Sequence, residues 1–197
     1  MPHRLEPTGV ACGVMAPIWF VVLYLTAMRM DHGYAFYRDY LSDLGVGRGA
    51  LAFNAAVVGA GALMVAFALL GLAPALRRDW AGRGGPLMLA AGGAFLTCVG
   101  VFTEDAGPIH YVVSVGFFMS VLVALLLLAI ALWRSRALGR IVAAVTTAAL
   151  ALGAAMLLWG FNPQTETVAV LTEVAWGESL AIALLLRALG RWPAPTN

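Results

Sequence analysis

Apolar residues fall into six long runs along this 197-residue chain, at roughly 9–28, 50–73, 86–103, 109–133, 141–161 and 168–186, with short polar stretches between them. Each run approaches or exceeds the ~20 residues a helix needs to cross ~30 Å of hydrocarbon. None alternates with the period of two that marks a membrane barrel strand. In lipid the backbone must satisfy its own hydrogen bonds, so the runs are expected to be helices. The pattern predicts an all-α fold, a polytopic bundle of six transmembrane helices forming one domain over residues 1–197. The first run is too long for a signal-peptide core and is not followed by a small-residue cleavage site. It is expected to be a retained first helix.

The longest connection, 29–49, carries a pattern of its own. Tyr34, Tyr37, Leu41 and Leu44 recur at i, i+3, i+7 and i+10, one face of a helix. Gly45 follows as a C-cap. The segment "YRDYLSDLG" (37–45) is therefore expected to be a short interfacial helix, lying as a lid on the bundle mouth. Asp39 and Asp43, four apart, share a face, with Ser42 beside them. Within the runs, "GVACG" (9–13), "VVGAGA" (57–62) and "AAGGA" (90–94) signal helices that approach closely. Pro17 is a candidate kink.

Composition agrees with the membrane reading. The chain is 62% hydrophobic and 11% charged, against about 25% charged for soluble domains. All twelve cations are arginine. With six spans, Arg4, Arg77, Arg78, Arg83, Arg134, Arg136, Arg140, Arg187 and Arg191 fall on one side. By the positive-inside rule that side is the cytoplasm, with both termini in it and the bundle in the cell membrane. Arg29, Arg38 and Arg48 belong to the first outer loop. Of the acids, only Glu6 and Asp79 lie inside. The arginine-rich 77–86 loop reads as a topology signal that touches anionic headgroups. The absence of lysine excludes Schiff-base chemistry, and with it a retinal pigment. Cys12 and Cys98 lie at opposite depths of different spans and are expected to be free thiols. Membrane lipids are the expected partners and nucleic acid is not; the oligomeric state is open.

The groups able to carry chemistry cluster towards the outer side. Glu104 and Asp105 occupy the turn between spans three and four. His110 opens span four, with Ser114 one turn deeper on the same face. Asn54 lies about a turn into span two. Asn162, Gln164 and Glu166 mark the outer edge of the last span. Glu173 and Glu178 lie inside it, where a charge costs about 2.5–3.5 kcal/mol and so needs a functional or pairing reason. Counting from 168, Glu173 is expected ~7 Å below the outer end and Glu178 near the midplane. Five residues apart, they point ~140° from each other and need not share a site. Trp176, three from Glu173, is placed to wall it. The candidate catalytic groups are Glu173 or Asp43 as general base and His110 as acid or orienter. Candidate binding residues are Asp39, Ser42, Asn54, Glu104, Asp105, Ser114, Trp176 and Glu178. A metal held by His110 with Glu104, Asp105, Asp39 or Asp43 is chemically possible but not favoured, and cofactors are otherwise unassigned. A Ser42–His110–Asp triad has no support in the spacing.

"YRDYLSDLGVG" followed by "AFN", with "GVFTEDAGPIHYVVS" (100–114), resembles the prokaryotic membrane family called domain of unknown function 998. The resemblance runs across most of the chain and implies six membrane helices, with the first outer loop and the span three–four turn as the signature. It implies no activity. A fainter similarity is to eukaryotic multi-span proteins linked to lipid remodelling, an analogy that tilts towards lipids. Three functions stay open. The preferred one is a protein that binds or processes a lipid or amphiphile in an outward-facing acidic and histidine-bearing cavity. A non-catalytic scaffold or accessory subunit would instead lock its acids to Arg29, Arg38 and Arg48. A proton-coupled small carrier would need a polar path through the apolar inner halves of the spans.

Overall fold

The computed structural model describes residues 6–76, 79–135 and 138–191. Their regular structure is helical throughout, with no strand among the described residues. Six helices are long and apolar enough to cross a membrane: α1 Pro7–Met30, α2 Ala50–Leu76, α3 Trp80–Val101, α4 Pro108–Ser135, α5 Gly139–Trp159 and α6 Pro163–Ala188. The protein is a multi-pass membrane protein. Two helices begin well before their apolar runs, because their caps lie in polar sequence. The Asp79 carboxylate accepts the Gly82 N–H at 2.8 Å and starts α3. Asn162 accepts the Gln164 and Thr165 N–H groups, and Pro163 sets the first turn of α6. Counted from Pro163, Glu173 lies ~15 Å along α6, and Glu173 and Glu178 straddle the helix middle.

Successive helices pack side by side, and α6 returns against α1 to close a ring. The α2–α3 crossing is the tightest kind. A Cβ on Gly61 would lie 2.6 Å from the Gly93 carbonyl oxygen, and one on Gly93 would lie 2.7 Å from the Gly61 oxygen. Only glycine on both helices permits that distance. The small residues of α1 serve the same end, Gly9 against Gly71 and Gly13 against the Phe67 ring. Here α2 widens into a π turn over Phe67–Leu72, where Ala73 N–H bonds to the Ala68 carbonyl. Pro74, with no N–H and with a ring that crowds the preceding turn, disfavours the ordinary ladder there. By contrast α1 runs unbroken through Pro17.

The buried residues form two clusters. One, around Phe67, Leu89, Leu128, Leu132, Leu180 and Leu184, fills the end that carries Arg83, Arg134, Arg140, Arg187 and Arg191. There the Arg134 guanidinium sits 5.6 Å from the centre of the Trp80 ring. Arg4, Arg77, Arg78 and Arg136 of the sequence argument lie outside the described residues. The other cluster, around Phe20, Tyr24, Leu41, Leu44 and Phe53, fills the end that carries the 31–49 loop. Cys12 and Cys98 are both free.

The loop does not form the single helix its periodicity suggests. Residues 36–38 make a turn, and only Leu41–Gly45 coils, as a 3-10 helix. The aspartates are the cause, since short acidic side chains compete for nearby backbone donors. Asp39 accepts the Ala35 N–H at 2.9 Å and pairs with Arg38 at 2.8 Å. Asp43 accepts the Tyr40 N–H at 2.8 Å, starting the 3-10 turn. Asp39 and Asp43 therefore serve separate turns rather than one face, and Tyr37 is left 63% exposed while Leu41 and Leu44 are buried. Gly45 is the last residue of the turn, and Val46 is the cap. Asp31 accepts the N–H groups of Gly33 and Arg48, and Asn54 donates to the Gly45 carbonyl at 2.9 Å. The loop is thus tied to α1 and α2 at both ends.

Candidate functional site

A cavity separates the two clusters. It holds about 130 Å³ of space for water-sized molecules, an order of magnitude above the ~10–15 Å³ that one water needs. Its titratable and hydroxyl-bearing lining is confined to the loop-end half: Ser42, His110, Ser114, Glu166 and, deepest, Glu173. Beyond them the walls are apolar, with Pro17, Met64, Phe67, Leu89 and Val121 around the far end. Helix α4 lines the cavity from His110 to Val121 and α6 from Glu166 to Gly177, each ~16 Å of axis, and α2 lines it from Phe53 to Phe67, ~21 Å. That depth is about the hydrocarbon of one leaflet, half of ~30 Å.

Glu166 and Glu173 are seven apart, so both fall on one stripe of α6. Among the described residues no hydrogen bond or ion pair reaches the Glu173 carboxyl. His110 Nδ1 lies 2.7 Å from the Phe102 carbonyl oxygen. A carbonyl only accepts, so Nδ1 carries a proton and donates to it. Nε2 lies 3.4 Å from Ser114 Oγ on the next turn.

The loop closes over the mouth and touches three other elements. The Leu41 N–H donates to the Glu166 carboxylate at 2.6 Å. Tyr40 stacks on Phe161, ring centres 6.1 Å apart, and Gln164 Nε2 donates to the Tyr37 carbonyl at 3.4 Å. The Tyr34 hydroxyl is buried beside Tyr24 and Thr167; burial, then Tyr24, pushes this phenol above its ordinary range. On the opposite side Asp43 meets Glu104 of the α3–α4 turn, carboxyl to carboxyl. Burial first, then the hydrogen bond with Asp43 and its charge, push Glu104 up to about 7. When protonated, Glu104 can donate to the Asp43 carboxylate, a latch between lid and turn.

The structure sorts the sequence candidates by place. Glu173, His110, Ser42, Ser114 and Trp176 line one cavity. Trp176 is buried and donates from Nε1 to the Thr146 hydroxyl at 3.1 Å, which fixes it against α5. Asp43 and Glu104 stand at the rim as the latch. Asp39 is held by Arg38, Asn54 is a strut under the loop, and Asp105 is exposed and bonded to the Thr103 hydroxyl. Glu178 lies outside the cavity, and its Oε2 is buried without a hydrogen-bond partner among the described residues. Glu166, not among the site candidates, is the addition. Its signal was the seven-residue step to Glu173, hidden by its position at the edge of the apolar run. No group of three or more His, Cys, Asp or Glu among the described residues is disposed to hold a metal ion.

Six spans in a ring, five of them lining an internal cavity that is polar at one end and roofed by the 31–49 loop, define a multi-pass membrane protein with an amphipathic interior site. The chain belongs to the family described as "Protein of unknown function (DUF998)", which matches residues 14–192, most of the first span and the whole of the other five. No curated protein and no solved structure matches the chain.

Proposed function

We propose that this protein binds a lipid or similar amphiphile, with its head among Ser42, His110, Ser114 and Glu166 and its tail in the apolar bore between α1, α2, α3, α4 and α6. The observation that carries this reading is the polarity gradient of one cavity along about one leaflet's depth. A head held by the polar mouth and a tail along the apolar wall match that gradient. Two further facts support it over the alternatives. A scaffold has no use for such a void, and of the three loop arginines Arg38 is the one paired with an acid, its neighbour Asp39. A carrier needs polar groups beyond Glu173, where the lining is apolar. The charge pattern supports a cell-membrane location with the arginine end in the cytoplasm and the lid outside, so the ligand would come from the outer leaflet.

The test is the lipid that travels with the protein. Purified wild type should carry near-stoichiometric amphiphile in solvent extracts. Val121→Trp, which fills the deep end, should lose most of it, whereas Leu158→Trp on the exposed surface should not. Equal lipid content in all three proteins would overturn the reading.

A further inference from the structure

A second, smaller chamber of about 90 Å³ lies between α4, α5 and α6. Its walls include Met119, Leu122, Gly153, Met156 and Ala169, and they are mostly apolar. Three residues line both chambers: Phe118, Glu166 and Glu173. The periodicity of α6 explains this. Val170 and Gly177 face the main cavity, Thr165, Ala169 and Thr172 face the second, and the two glutamates stand on the ridge between them. Phe118 is the matching partition on α4. It packs edge-on against Phe161 at 5.4 Å, and Phe161 stacks on Tyr40 of the lid. One roof therefore covers a forked interior.

The mouth of this fork offers carboxyl, imidazole and hydroxyl groups with no fixed positive charge among the described residues. Among the described residues no arginine lines either chamber, and the chain has no lysine. With Nδ1 donating to the Phe102 carbonyl, the neutral His110 ring presents Nε2 as an acceptor, and either protonation form of Glu166 or Glu173 lacks positive charge. A phosphate or carboxylate there would face carboxyl groups in low dielectric with no counter-charge.

Resting on the amphiphile reading, we infer that the site takes a two-chain lipid, one chain in each chamber astride the Glu166–Glu173 ridge, whose head donates hydrogen bonds and carries no anionic group. A single-chain ligand leaves one chamber without contacts, and walls facing a void forfeit their dispersion partners. A diacylglycerol has the required form, two chains and a free hydroxyl.

The experiment uses the full chain in detergent micelles with three unlabelled competitors against radiolabelled dioleoylglycerol: dioleoylglycerol, monooleoylglycerol and dioleoyl phosphatidic acid. The expected order places dioleoylglycerol at least tenfold ahead of both others. Ala169→Phe, which fills only the second chamber, should erase the advantage over monooleoylglycerol while leaving monooleoylglycerol binding within about twofold. Monooleoylglycerol competing as well as dioleoylglycerol in wild type would overturn the forked site and leave the amphiphile reading standing. Phosphatidic acid competing equally would overturn the donor head. Absence of any specific binding would overturn both readings. The wild-type series decides the matter even if Ala169→Phe does not fold.

Discussion

At the scale of single residues, Glu166 and Glu104 do the work of closing the mouth, from opposite sides. Glu166 is buried and accepts the Leu41 N–H at 2.6 Å. A hydrogen bond to a charged group contributes about 1.5–3 kcal/mol, and a tenfold change in an equilibrium corresponds to about 1.4. Glu166→Ala should therefore speed hydrogen exchange at the Leu41 amide by about 10- to 100-fold while leaving amides at the middle of α3 unchanged. Unaltered exchange at Leu41 would show that the lid does not depend on this bond. Glu104 gives the lid a pH dependence whose sign follows from its position. Its carboxyl is pushed from an ordinary 4.5 to about 7 in the fold. Between those values the folded protein holds more proton than the unfolded one, so stability falls as pH rises. The contribution is complete below about 4.5 and gone above about 7. The thermal midpoint of wild type should drop across that window. Glu104→Gln, whose amide can donate to Asp43 at any pH, should flatten the drop.

At the scale of elements, glycine placement fixes how the helices meet, and proline placement fixes where one of them widens. The mutual approach of Gly61 and Gly93 leaves no room for a side chain. Gly93→Leu should separate α2 from α3 and destabilise the bundle by at least the ~1–3 kcal/mol typical of overpacking. A thermal-unfolding series in detergent reads this directly, with Gly177→Leu as control, since a Cβ at Gly177 meets nothing within 4 Å. A Gly93→Leu midpoint no lower than that of Gly177→Leu would contradict the proposed tightness of the crossing. The loop shows how an element can escape its own periodicity. Its apolar spacing was helical, but Asp39 and Asp43 each bind a backbone N–H within four residues. Those local bonds break the segment into a turn and a 3-10 helix, and that break is what lets Leu41 and Ser42 face the cavity while Tyr37 stays outside.

At the scale of the whole molecule, Arg83, Arg134, Arg140, Arg187 and Arg191 lie at the end of the ring opposite the polar mouth. This polarity predicts the topology. With Cys12 and Cys98 replaced by alanine, a single cysteine at Val46 should react with a membrane-impermeant thiol reagent in intact cells. One at Gly190 should react only after the membrane is opened. The reverse labelling pattern would invert the orientation and place the amphiphile site in the cytoplasmic leaflet.

The sequence by itself determined the number of spans, their helical nature, the contrast between the arginine end and the acidic end, and the family. These follow from local quantities: run length, hydropathy, charge and short motifs. It also placed His110 and Ser114 on one face, because a helix converts a four-residue step into a contact. What only the tertiary structure decided was convergence. Whether Glu173 met His110 or Asp39 depended on the order of helices around the ring and on the rotation of each about its axis, which no local spacing encodes. The place of Glu173 along α6 depended on a cap six residues upstream of its apolar run. The role of Glu166 depended on a loop 125 residues away bringing the Leu41 N–H to it. The stretch "YRDYLSDLG" carried all its polar groups in plain view, yet their division among a salt bridge, a turn cap, a latch and a cavity wall was set by the neighbours that the fold supplied.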